Sequence, residues 1–285
     1  MSPTPARYLQ KITKMSSPHW KDLFSTLLQK NLDAGYKDAL NFSFATLPAP
    51  GSIYPRVRTC VFRGFAFEPH GENNGAKGSS LLTFTTDSTM KKAEELMGRD
   101  EKGELNNTFE ACFWFADSGD QFRFAGRAWV LGTKSFPQQG VFNEQAERLL
   151  KTYTHGISGN VEDAWQVERQ RIWEGQKPMM RRTFCSPHPG SPMTKEKSEQ
   201  LHAMPMLPVM PEDAKGRVTA KDDDGKETEE YTGTKEDVEE ALKRFCIVVL
   251  EIDEVDRVLL SPPPGGRWRW KKMGSNEWDE QEVCP

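Results

Sequence analysis

The stretch Tyr54-Pro-Arg-Val-Arg-Thr-Cys-Val-Phe-Arg-Gly-Phe-Ala-Phe67 constrains this chain more than any other. Val57, Thr59, Val61 and Phe65 are strand formers, and Pro55 and Gly64 punctuate the run, so it predicts a β-strand. Three arginines, Arg56, Arg58 and Arg63, sit inside it. A buried strand holds such charge only beside an anion, because an unpaired guanidinium is costly to desolvate. Arginine's planar fork suits phosphate well. The strand therefore either helps hold a phosphorylated ligand or lies at an edge with its arginines in water. By itself the stretch favours the edge, and its neighbours shift the balance.

Before it, the spacing of Trp20, Leu23, Phe24, Leu27 and Leu28 predicts a helix from Pro18 to about Asn31, with Ser17 as its cap. Residues 39–47 alternate as a strand, Phe42, Phe44 and Thr46 on one side, and a turn follows at 48–51. After the arginine strand, a Gly/Asn-rich loop at 69–78 leads into a strand at 80–86, the pattern of a long hairpin. Thr85-Thr-Asp-Ser-Thr-Met-Lys-Lys92 then opens a short helix, with Asp87 or Ser88 as the cap. Lys91 and Lys92 in its first turns oppose the helix dipole, a conflict that a bound anion relieves. Two solvated lysines are the plainer alternative.

Residues 110–115 and 120–131 read as two strands joined by a tight turn. In the second, Gln121, Arg123, Ala125 and Arg127 share one face and Phe122, Phe124 and Gly126 the other. The Gln121 amide can donate to and accept from a heterocycle edge, or simply meet water. Helices are predicted at 142–154 and 162–173. The apolar run 245–252 predicts a strand, followed by a short turn, a strand at 255–260 and a terminal hairpin. There Arg267 and Arg269 share one face and Trp268 and Trp270 the other.

With 285 residues the chain suffices for one large domain. The reading is a flexible N-terminus at 1–17 and a single domain at 18–285, interrupted by a polar insertion at 194–240. The mean hydropathy of -0.70, the Met/Pro alternation at 204–211 and the charge run at 220–230 mark the insertion as disordered or loosely attached. A net charge of -4 argues against general nucleic-acid binding. Five cysteines without a Cys-x-x-Cys pair argue against a metal site or a disulfide framework and fit a reducing compartment. No apolar stretch is long enough for a membrane span or a signal sequence, so the expected location is cytoplasmic. The histidines are scattered, and no triad or carboxylate pair stands out, so no catalytic residue is assigned.

Many short antiparallel strands around a helical block suggest a closed barrel with its ligand at strand ends. The order of the polar motifs resembles the pyridoxine/pyridoxamine 5'-phosphate oxidase-like family of FMN-binding split barrels. The resemblance rests on Arg58-Thr-Cys-Val-Phe-Arg63, on Thr85-Thr86-Asp87 before Met90-Lys91-Lys92, on Gln121-Phe-Arg-Phe-Ala-Gly-Arg-Ala128, and on Arg269 with Trp278 before Val283-Cys-Pro285. It implies an α+β fold, mainly an antiparallel split β-barrel with peripheral helices, and a homodimer with FMN at the subunit interface. It implies that Arg58, Lys91 and Lys92 hold the FMN phosphate, helped by Thr85 and Thr86. Arg58, Thr59, Cys60 and Val61 would flank the ring, Gln121 and Arg269 would contact the flavin, and Arg63 and Arg267 would face an unidentified small-molecule substrate.

The chain departs from the family pattern at three places. Met90 replaces a serine, Gly265-x-Arg267-x-Arg269 lacks the substrate-binding histidine, and Leu259 or Leu260 stands where an aromatic flanks the flavin. Arg169, Arg171 and Arg181 have no assigned role. The expectation is a divergent branch: an FMN-dependent oxidoreductase with an altered substrate site, or a non-catalytic FMN-binding or interaction protein.

Overall fold

The computed structural model describes residues 18–48, 53–68, 79–136, 139–153, 160–221, 227–274 and 277–285. The N-terminus at 1–17 with the Ser17 cap, and the loop at 69–78, lie outside the described residues. The turn at 48–51, the charge run at 220–230 and the final hairpin's tip lie partly outside them.

Six antiparallel strands close a barrel. They are β1 (Asn41–Thr46), β2 (Arg56–Phe65), β3 (Leu82–Asp87), β4 (Thr108–Phe115), β5 (Asp120–Leu131) and β8 (Phe245–Leu259). The order around the wall is β8-β3-β2-β1-β4-β5, and β5 pairs back onto β8. β9 (Gly266–Lys272) and β10 (Trp278–Val283) extend the sheet from β8 as the expected terminal hairpin. The period-two pattern decides what lies inside. Phe42 and Phe44 of β1, Phe62 of β2, Phe84 of β3, Phe113 of β4 and Phe122 and Phe124 of β5 are all buried. Helix α1 (His19–Asp33) plugs this interior: the Phe24 ring packs on those of Phe62, Phe65, Phe113, Phe115, Phe122 and Phe124.

β8 is one continuous strand of 15 residues, where the sequence suggested two strands and a turn. Asp253 is taken up by a register shift opposite Ala125 and Gly126 rather than by a turn. Gly126 is needed there, because a Cβ would lie 2.0 Å from the Glu251 carbonyl oxygen. Both faces of the first half of β8 are covered. Cys246, Val248 and Leu250 join the barrel core, and Phe245, Ile247 and Val249 join a second core. That second core is built by α3 (Gln139–Tyr153) and α4 (Val161–Glu174), with Trp165 and Trp173 at its centre.

The insertion corrects the sequence reading. Residues 194–240 contain α6 (Lys195–His202), the hairpin β6 (Arg217–Lys221) with β7 (Glu227–Tyr231), and most of α7 (Lys235–Arg244). Thr234 and Asp237 form a reciprocal cap at the start of α7. Leu207, Val238 and Ala241 are buried in the second core, and Trp173 Nε1 donates to the Val209 carbonyl at 2.8 Å. A few well-placed apolar side chains anchor a segment that is polar on average. A short link at 175–177 joins α4 to α5 (Pro178–Arg181).

Candidate functional site

Alternation along β2 sends Arg58, Cys60 and Phe62 toward the barrel. Phe62 and Cys60 are buried, and Arg58 reaches the rim between β1 and α2 (Lys91–Met97). Its Nη1 donates to Thr46 Oγ1 at 2.7 Å and its Nη2 to Glu95 Oε2 at 2.6 Å. Thr46 Oγ1 donates to the same carboxylate oxygen at 2.7 Å. The guanidinium is thus held in one orientation by two neighbours and is only partly exposed.

Lys92 stands beside this group, its Nζ 5.6 Å from the centre of the Phe84 ring. Burial pushes its pKa below the usual lysine value; Cys60 and Asp87 act against that shift and Arg58 acts with it. No carboxylate among the described residues pairs with Lys92 within 4 Å. Lys91, next to it, is exposed. Arg63 shows the same imbalance: its Nε is buried without a hydrogen-bond partner, and burial lowers its pKa. Arginine and lysine are seldom left partly desolvated and unpaired, because the charge then loses hydration without compensation. These two residues fit an anionic group supplied from outside the chain.

The other expected contacts fall as follows. Thr59 is exposed, Val61 is partly buried, and both leave β2 on the face opposite Cys60. Thr85 is partly buried and Thr86 is buried. The Thr86 hydroxyl donates to the Asp87 carbonyl at 3.3 Å and faces the Met90 sulfur. Neither Asp87 nor Ser88 caps α2. Met90 occupies that position with no side-chain bond, and α2, seven residues long, offers too short a dipole to hold an anion by itself.

Gln121, Arg267 and Arg269 lie elsewhere on the protomer. Gln121 sits opposite Trp114 and Val258. Arg58 pairs in register with Phe44, Phe44 with Ala111 and Ala111 with Phe124, so three strand spacings, roughly 14 Å of wall, separate β2 from β5. Arg267 grips Asp256 through Nε at 2.9 Å and Nη2 at 2.7 Å, Arg123 donates to it at 2.8 Å and Arg269 at 3.3 Å. Burial raises the Asp256 carboxyl, but Arg267 and Arg123 outweigh it and bring it below the usual range. An open cavity of about 510 Å³ adjoins this group, between Arg123, Arg269 and Gln281. One chain therefore carries two polar clusters and does not join them.

The three unassigned arginines have structural partners. Arg169 donates to the carbonyls of Phe245 and Leu242 at the end of α7. Arg181 donates to the carbonyls of Leu207 and Gln176, with its guanidinium over Trp173. Arg171 pairs with Glu168. Glu251 of β8 forms a further paired group: it accepts from Arg148 through both carboxylate oxygens at 2.7 Å, from Tyr153 at 2.9 Å and from Trp129 at 3.2 Å, with Lys272 at 3.4 Å. Burial would raise the Glu251 pKa, but Arg148, Lys272 and Tyr153 bring it down to about 2.

Sequence reasoning missed Glu95, Thr46, Asp256 and the Asp87 contacts. Glu95 looks like a solvated residue on a short polar helix, and Thr46 like one more alternating strand position. Pairing of β1 with β2 brings Thr46 beside Arg58, and the packing of α2 on the rim brings Glu95 there.

Residues 17–132 match the family model described as pyridoxamine 5'-phosphate oxidase, FMN-binding domain. The chain carries this FMN-binding domain, and FMN is its cofactor. It is 26% identical over 307 aligned positions to an uncharacterized protein of Saccharomyces cerevisiae, covering 86% of this chain and 92% of the yeast protein. It is 25% identical to pyridoxine/pyridoxamine 5'-phosphate oxidase 2 of Arabidopsis thaliana, covering 64% of this chain and 68% of the plant protein. Among solved structures, a pyridoxamine 5'-phosphate oxidase-related, FMN binding protein of Nostoc punctiforme superposes with a TM-score of 0.60 at 20% identity, covering 95% of this chain and all of that one. PhzG of Burkholderia lata, solved with tetrahydrophenazine-1-carboxylic acid, gives 0.54 at 16% identity and covers 93% and 92%. The split-barrel fold is shared, and the low identities fit a divergent branch of the FMN-binding family.

Proposed function

We propose that the chain is an FMN-dependent oxidoreductase that works in the cytoplasm as a homodimer, with a substrate site altered from that of the vitamin oxidases. The observation that carries the reading is the pair of partly buried cations, Lys92 and Arg63, that form no ion pair among the described residues. Lys92, with Arg58 and Lys91, takes the FMN phosphate at the β2–α2 rim, and Thr85 and Thr86 line the approach. Thr59, Cys60 and Val61 lie along the ring. The Glu95 and Thr46 bonds hold Arg58 in place before the ligand arrives, which lowers the ordering cost of binding.

The dimer is supported by what one chain leaves open. On the outer face of β2, β1 and β4, Val57 is 70% and Trp114 48% exposed. A second copy seated there would cover apolar surface and bring Gln121 and Arg269 of the partner subunit toward the flavin. When bound, FMN supplies the capacity to accept a hydride from the substrate. Arg63 binds and orients an anionic group of that substrate, and Arg267 shares this task once Asp256 releases it. Among the described residues no helix is long and apolar enough to cross a membrane.

One observation favours a second reading, a non-catalytic FMN-binding protein. Arg267 is already gripped by Asp256 through two bonds and has little capacity left for a substrate anion. Purification of the full chain with its flavin, followed by anaerobic reduction with candidate amines and aerobic assay of hydrogen peroxide, separates the two. Flavin that stays bound without turnover supports the second reading, and colourless protein that takes up no FMN removes both. Pyridoxamine 5'-phosphate is expected to turn over slowly or not at all. Gel filtration tests the dimer: Trp114→Glu is expected to shift the protein to monomer and to weaken FMN.

A further inference from the structure

We infer that Arg244 and Asp87 are positioning residues for the cofactor phosphate, and that the 194–240 insertion acts on the flavin site through them. The inference rests on the FMN reading of the β2–α2 rim. Asp87 ends β3 directly after Thr85 and Thr86 and precedes Lys91 by one turn. Its carboxylate is buried, and Oδ1 accepts from the Thr89 amide at 2.8 Å and the Thr89 hydroxyl at 2.7 Å. Arg244, the last residue of α7, grips the same carboxylate through Nη2 and through Nε at 3.3 Å. Its Nη1 donates to the Ser186 carbonyl at 2.8 Å, and its own carbonyl accepts from the Ser88 amide at 2.9 Å. Residues 87–89 are thereby tied to α7 at the backbone and at the side chain.

This matters because α2 cannot set its own direction. It has seven residues and no side-chain cap, so the turn before it decides where Lys91 and Lys92 point. That turn is fixed by Asp87, and Asp87 is fixed by Arg244. Arg244 is fixed in turn by the Thr234–Asp237 cap at the other end of α7 and by Arg169, which closes the α7 carbonyls. Asp87 also favours the charged form of Lys92 against its burial. The contacts run from α7, which begins in the insertion, through Arg244 and Asp87 to the Asp87–Met90 backbone turn on which α2 starts.

The test separates phosphate grip from general support. Apo full-length protein, wild type, Arg244→Lys and Asp87→Asn, is titrated with FMN and with riboflavin, which has the same ring and no phosphate. Arg244→Lys keeps the charge and loses the fork, and Asp87→Asn keeps the shape and loses the charge. In both variants the FMN Kd is expected to rise roughly tenfold and the riboflavin Kd less than about twofold, so the preference for phosphate collapses. Equal weakening of both ligands, or an unchanged FMN Kd in both variants, overturns the inference. Wild-type protein that binds no FMN removes the flavin reading and this inference with it.

Discussion

Two regions of the molecule use the same kinds of side chain to opposite ends. Around Glu251, one carboxylate faces the cations of Arg148 and Lys272 and accepts from a phenol and an indole as well, so that both its oxygens have donors. Lys92 at the β2–α2 rim and Arg63 further along β2 are partly buried, and among the described residues no carboxylate lies within ion-pair distance of either. The first arrangement is complete and holds α3 against the barrel. The second is incomplete, and the proposed FMN phosphate would supply the charge it lacks. The difference teaches that a buried cation signals a ligand only after its internal partners have been counted.

Substitutions sharpen that contrast. The largest effect is expected at Glu251→Ala, which leaves the largely buried Lys272 without its carboxylate and Tyr153 and Trp129 without their acceptor, and should cost about 3 kcal/mol in urea unfolding, with FMN affinity unchanged where the protein folds. The same carboxyl sets an acid limit. Its folded pKa, about 2, lies below the ordinary carboxyl value of 4.5, so its contribution is fully present above pH 4.5 and is lost as pH falls toward 2. That contribution is about 3 kcal/mol at full strength, and Glu251→Gln should flatten the pH dependence of unfolding over this window.

Arg58→Ala comes next: FMN binding is expected to weaken by roughly 1.5–3 kcal/mol in fluorescence titration, and apo stability should fall as well, because Glu95 is left buried without its partner. Lys92→Met should divide the two quantities. FMN affinity falls by up to about 2 kcal/mol, while the apo protein holds its stability or gains up to about 1 kcal/mol, since no internal ion pair is lost. A loss of apo stability on Lys92→Met, measured by urea unfolding, would break the comparison. The smallest effect is expected for Arg269→Gln, whose Asp256 contact is the longest in its cluster; unfolding should change by less than about 1 kcal/mol.

Much of the barrel was legible because alternation is local. Phe42 and Phe44, or Phe122 and Phe124, announce their inward face within a few residues, and the prediction for each strand's side needed no partner. The arginine strand and the Lys91–Lys92 helix start were legible as cationic, yet nothing local distinguished Arg58, which pairs with Glu95, from Arg63, which pairs with no carboxylate among the described residues. That distinction lives in contacts 37 residues away along the chain. The insertion was misread for a related reason. Its anchors, Leu207, Val238 and Ala241, are too sparse to leave a periodic signal, and the arginine that joins it to the barrel meets its aspartate across 157 positions. The apparent turn within β8 was a polar interruption, Asp253 and Glu254, absorbed by a register shift that only the β5 glycine makes feasible.

The Phe24 plug has its own consequence for how such a protein can change. With the lumen filled by aromatic rings from one helix and several strands, no guest molecule has room inside, and recognition is confined to the rim and the outer skin of the wall. Position along a strand, as well as parity, therefore decides what a side chain is asked to do. On β2 the inward parity serves both interior and rim, with Cys60 and Phe62 filling the cylinder and Arg58 leaving it at the rim.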